Sequence, residues 1–145
     1  MEKILVSACL YGKNVKYNGK NNYIAKIKEL EKKYELILIC PEVFGGLSIP
    51  RDPSEINNNK VISIKGKDVT NNFNMGAKKA LDLAIENNCK IAILKEGSPS
   101  CGKNYIYDGT FRSIKIDGMG ITTKLLKENN IKIYNEKEID LLLMP

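Results

Sequence analysis

The 145-residue chain contains no histidine and no tryptophan. Without imidazole, Ser-His-Asp and Cys-His nucleophile systems are excluded, as are zinc sites that use histidine. None of the four cysteines forms a Cys-x-x-Cys pair, which removes support for zinc ribbons and thioredoxin-type redox pairs. Neither a Walker loop nor a Gly-x-Gly-x-x-Gly turn follows the first apolar run. A phosphatase cysteine loop built on Cys9 would need an arginine where the chain has Val15.

Arginine is almost missing too. Only Arg51 and Arg112 occur among 23 basic residues. In a chain that defaults to lysine, these two either supply the rigid, bidentate fork that lysine cannot imitate or are ordinary exposed residues. Long apolar runs are absent: nothing approaches the roughly 20 residues of a membrane-spanning helix. The N-terminal apolar stretch is too short for a signal-peptide core. A cytoplasmic location is therefore expected, where cysteines serve as thiols or metal ligands rather than disulfides. The net charge of +6 is spread over lysines with no interleaved aromatics, the pattern of a solvated surface rather than of a nucleic-acid or membrane partner.

Length and a 43% hydrophobic content fit one domain over residues 1–145. The segments alternate as strand and helix, predicting an α/β fold: a three-layer Rossmann-like sandwich with a mainly parallel central sheet. Strands are expected at Lys3–Ser7, Leu36–Ile39, Val61–Ile64, Ile91–Leu94 and Ile131–Tyr134. One apolar stripe runs through Tyr23, Ile24, Ile27, Leu30 and Tyr34. A second runs through Phe73, Ala77, Ala80, Leu81, Ala84 and Ile85, on a helix that Thr70 is expected to cap. Residues 41–59 form a long connection rich in proline, of the kind that is usually functional. Asp108-Gly109 is a hairpin signal within Tyr105–Phe111. A capping box is expected at Asn135 and Glu138, and a short helix after Gly120.

Three cysteines share one position in this scheme. Cys9, Cys40 and Cys101 each lie just beyond an apolar run, in turns rich in Gly, Pro and Ser. If the strands are parallel neighbours, the three thiols meet at the sheet edge where open α/β sheets bind ligands. Such thiols either bind a metal or an iron–sulfur cluster with one iron left open, or are small buried hydrophobes. Cys89, at the end of a helix, reads as core. Glu42 follows Cys40 by two residues, and Ser98 and Ser100 flank Pro99 just before Cys101. These are candidates for proton transfer and substrate orientation, or else an ordinary loop acid and turn-forming serines.

The stretches Val6-Ser7-Ala8-Cys9-Leu10, Cys40-Pro41-Glu42-Val43-Phe44-Gly45-Gly46-Leu47, Ser98-Pro99-Ser100-Cys101-Gly102 and Tyr107-Asp108-Gly109-Thr110-Phe111 resemble the thiouracil desulfidase family, once known only as a domain of unknown function. The resemblance covers nearly the whole chain. It departs at Lys16, where the family often has arginine, and at Gly97, where it often has a basic residue. It implies a 4Fe–4S cluster held by Cys9, Cys40 and Cys101 with one open iron, and a small thiolated pyrimidine as substrate. Water would displace the sulfur to give the oxo-base and hydrosulfide. Glu42 is implied as general acid/base and Ser98 as orienting or proton-relaying, with Ser100 beside it. Arg51, Lys95 and Asp108 are the expected substrate-binding residues. The rival expectation is a non-catalytic iron–sulfur, sulfide-sensing or carrier protein.

Overall fold

A computed structural model describes all residues, 1–145. Its centre is a four-stranded parallel sheet in the order β2-β1-β5-β8, formed by Tyr34–Ile39, Glu2–Ser7, Ile91–Leu94 and Lys132–Asn135. Parallel strands covered on both faces become continuously apolar. Accordingly β1 is buried from Ile4 through Ser7.

Strand alternation then divides the core. Leu5, Ala92, Leu94 and Ile133 pack on one side with Ala80, Ala84 and Leu126 from α3 (Thr70–Glu86) and α4 (Ile121–Glu128). Ile4, Val6 and Ile93 face the other way, toward Ile27 and Leu30 of α1 (Lys26–Leu30) and Ile139 and Leu142 of α5 (Ile139–Leu143).

The remaining strands stand outside this sheet. β3 (Ser54–Asn57) pairs antiparallel with β4 (Lys60–Ser63), and β6 (Tyr105–Tyr107) with β7 (Lys115–Asp117). The expected strand at Val61–Ile64 is thus half of a separate hairpin. The chain around Asp108-Gly109 is a longer loop whose return strand starts at Lys115, not a tight turn.

Three local expectations also change. The first apolar stripe yields only the short α1: Tyr23 is exposed, and Tyr34 opens β2. Thr70 does not cap α3 with its side chain; Asp68 Oδ1 accepts the Thr70 N–H at 2.9 Å, and the Thr70 hydroxyl accepts from Val61 N–H. Ile85 is exposed, and Gly76 lies buried on the inward face of α3. At the C-terminal end only half of the expected capping box forms: Asn135 N–H donates to Glu138 Oε1, but Asn135 Oδ1 accepts from Lys137 N–H, and α5 starts at Ile139 with Glu138 rather than Asn135 as its N-cap.

Between β2 and β3 the long connection begins with a further short helix, α2 (Pro41–Phe44), with proline at its first turn. It lies backbone to backbone on α3. A methyl group on Gly76 would overlap the Pro41 carbonyl, and one on Gly45 would overlap the Asn72 carbonyl. Gly120, ahead of α4, meets the Ser100–Cys101 backbone in the same way. No helix is long and apolar enough to cross a membrane.

Candidate active site

From β1 the chain leaves to β2 on one side, and β5 joins β1 on the other. The crevice beyond such a reversal is where α/β sheets take ligands. A cavity of about 540 Å³ opens there. Cys9, from the 3-10 turn after β1, Cys40, just before α2, and Cys101, in the loop after β5, all line it. Cys89 is buried elsewhere, in the core beneath α3. No group of three His, Cys, Asp or Glu side chains closes about a single metal ion.

Burial pushes all three thiols above the ordinary range, Cys101 to about 12. Each nevertheless faces hydrogen-bond donors that work the other way. Asn22 Nδ2 donates to Cys9 Sγ at 3.4 Å; the Ser100 hydroxyl lowers Cys101, and Ser7 Oγ lies 3.8 Å from Cys101 Sγ. The backbone N–H groups of Val43 and Glu42 act on Cys40, which sits at the start of α2. Repulsion from Cys40 raises Cys9 further, repulsion from Cys9 and Cys40 raises Cys101, and repulsion from Glu42 raises Cys40.

Glu42, in the first turn of α2, turns toward the same cavity. Burial raises its carboxyl above the usual range, against the opposing charge and hydrogen bond of Arg51. The Arg51 guanidinium makes three bonds: Nε donates to Glu42 Oε1 at 3.1 Å, and its other nitrogens to Val15 O at 2.9 Å and Ser48 O at 3.2 Å. Arg51 thus grips Glu42 while itself lining the cavity.

Ser98 lines the cavity, and its Oγ accepts the N–H of Cys101 at 2.7 Å and of Ser100 at 3.2 Å. Its hydroxyl hydrogen is left to donate. Ser100 is buried behind the loop, 2.8 Å from Thr122 Oγ1. Lys95 reaches the cavity, with its ammonium between Glu136 Oε2 at 3.1 Å and the Glu96 carbonyl at 2.9 Å. The structure does not bring Asp108 to the cavity. Its carboxylate binds the N–H and hydroxyl of Thr110, which holds it below the usual range.

Several residues here carry no sequence signal. Glu96 is 4% exposed. Its Oε1 accepts N–H groups from Gly97, Lys103, Asn104 and Tyr105, and its Oε2 accepts from Asn135 Nδ2. Burial works to raise this carboxyl. The Asn135 amide and the backbone donors outweigh it and leave the carboxyl below its ordinary value. Glu96 is thus the hub around which the Ser98–Cys101 loop folds back. Glu55 plays a related part: its Oε1 takes the N–H of Gly109 at 3.0 Å and Phe111 at 3.1 Å, tying the β3–β4 hairpin to the loop that sets Phe111 against the cavity. Tyr105 and Tyr107 add to that aromatic wall.

Fold and cavity together define an α/β protein with a thiol-lined pocket at the carboxyl edge of its parallel sheet. The chain belongs to the 2-thiouracil desulfurase family, whose model matches residues 4–138. It is similar to the uncharacterized protein YbbK of Bacillus subtilis (strain 168), 41% identical over 97% of this chain and 99% of that protein. It is also similar to a solved structure, the 4Fe-4S-dependent thiouracil desulfidase TudS, with a TM-score of 0.93, 40% identity, and coverage of 99% of this chain and 98% of that one.

Proposed function

We propose that this protein is a 4Fe–4S-dependent desulfidase that removes sulfur from a thiouracil-like pyrimidine (base, nucleoside or nucleotide), giving the oxo-base and hydrosulfide. The observation that carries the reading is the set of three thiols from three parallel strand ends, each met by its own hydrogen-bond donors, on the wall of one cavity that also holds Glu42. Donors aimed at sulfur suit thiolates rather than inert thiols, and an all-sulfur donor set is the soft type that favours iron–sulfur centres. Cys9, Cys40 and Cys101 would hold the cluster. When bound, it supplies a Lewis-acidic iron whose open position polarises the C–S bond.

The chain's own residues account for the rest. Glu42, its carboxyl raised by burial, serves as general acid/base toward water and the leaving sulfur. Arg51 fixes the direction of that carboxylate. Ser98 offers its hydroxyl hydrogen to the substrate, while Ser100 and Thr122 brace the loop behind Cys101. Lys95 is the cationic contact for a substrate oxygen, and Phe111, Tyr105 and Tyr107 provide the flat apolar wall a pyrimidine needs. Asp108 contributes only through the loop that carries Phe111. The helix pairs on the two sheet faces support a three-layer, Rossmann-like arrangement, and the reading places the protein in the cytoplasm.

Anaerobic reconstitution with iron and sulfide, followed by incubation with 2-thiouracil, tests this directly. Brown, iron-replete protein that yields uracil and hydrosulfide is the expected result. Colourless protein without stoichiometric iron overturns the reading, and iron-replete protein that never turns over would make it a carrier or sensor instead.

A further inference from the structure

Two side chains at the cavity direct their donors at sulfur, and neither is needed for the proton chemistry above. Asn22 holds Cys9 at two points. Its backbone N–H donates to the Cys9 carbonyl at 3.0 Å, while its Nδ2 donates to Cys9 Sγ at 3.4 Å. Ser7, the last residue of β1, is 3% exposed. Its Oγ accepts the Lys95 N–H from the neighbouring segment at 3.0 Å, which fixes the oxygen and turns its one hydrogen toward Cys101 Sγ, 3.8 Å away. Neither the Asn22 amide nor the Ser7 hydroxyl donates to any other side chain. The Cys40 sulfur, by contrast, draws its donors from the backbone at the start of α2.

We propose that Asn22 and Ser7 are positioning residues for the Cys9 and Cys101 thiolates, each holding its sulfur with one donor and setting how much negative charge that sulfur gives to iron. Hydrogen bonds to ligand sulfurs are a main lever on iron–sulfur centres, and the partners of metal ligands tune the metal through the ligand. A hydrogen-bonded thiolate donates less. Both side chains therefore leave the iron more electron-poor, the condition that favours capture of an electron-rich substrate sulfur. This rests on the desulfidase reading and names two further residues of the same site.

The test uses the full chain, reconstituted anaerobically, in four variants: Asn22→Asp, Asn22→Ala, Ser7→Ala and Ser7→Thr. The readouts are iron stoichiometry, thermal unfolding and the midpoint potential from a redox titration followed by electron paramagnetic resonance. Losing either donor is expected to lower the potential, so that the ratio of reduced to oxidised cluster at the wild-type midpoint falls about tenfold, or 59 mV for a one-electron couple. Ser7→Thr keeps the hydroxyl and returns the potential to the wild-type value. Asn22→Ala removes the donor without adding charge and carries the expectation, while Asn22→Asp, which also sets a negative charge beside the sulfur, is expected to lower the potential further. Iron-replete variants with unshifted potentials overturn the proposal. Wild-type protein that binds no iron overturns the desulfidase reading itself, and so the two failures are told apart.

Discussion

Glu42 combines two demands that usually conflict: its carboxyl is largely buried, yet one guanidinium grips it. Burial keeps a proton available, and Arg51 keeps the group aimed. Glu42→Gln preserves the shape and the contact to Arg51 but cannot exchange a proton. We expect full iron content and a loss of about 10²–10⁴-fold in sulfide release, measured anaerobically with 2-thiouracil. Cys89→Ala, within the core beneath α3, should keep both iron and turnover and lose only about 1 kcal/mol of stability. What could be read from the sequence at this scale was anything marked by a strand end: three cysteines, and Glu42 and Ser98 beside them. Asn22, Ser7 and Glu96 are ordinary polar residues whose meaning comes from partners far along the chain. The Ser7 contact to Cys101 spans 94 positions, and no local pattern announces it.

Elements hold the site by backbone contact as much as by side chains. α2 carries Cys40 at its start and Glu42 in its first turn, and it can lie on α3 only because Gly45 and Gly76 have no side chains. Gly76→Ala should push α2 outward, cost about 1–3 kcal/mol as overpacking does, and lower iron stoichiometry, as read by chemical denaturation and iron analysis. The loop after β5 depends instead on Glu96. Its carboxyl is held below the ordinary value, so it contributes stability that is present above the normal glutamate range near pH 4.3 and is lost as pH falls through its lowered folded value. Glu96→Gln should flatten stability across that acid window, and Glu96→Ala should cost about 2–4 kcal/mol at neutral pH by orphaning buried N–H groups. Both are checked by urea unfolding at stepped pH. Three strands of the main sheet were legible because their apolar runs are unbroken, and β8 because Ile131, Ile133 and Tyr134 flank a single lysine. β3 was not, since Ser54-Glu55-Ile56-Asn57 has neither apolar alternation nor β-branched enrichment, and the expected strand at Val61–Ile64 was thereby left without its partner.

At the scale of the whole molecule, the candidate site is assembled from β1, β2 and β5 at once. A ligand that binds only the folded state stabilises it by mass action. Removing iron with a chelator should therefore lower the melting temperature, and Cys40→Ala, which takes away one thiolate, should abolish that difference. Calorimetry under anaerobic conditions measures both. The order of the strands also has a consequence for the chain as it is made. Cys9 and Cys40 emerge early, but the third thiol follows about two-thirds of the way along, and Gly120 and α4, which brace its loop, come later still. No partial chain carries the complete ligand set in its final setting. Cofactor insertion would thus come last in the life of a newly synthesised molecule and would reach only copies whose central sheet has already closed.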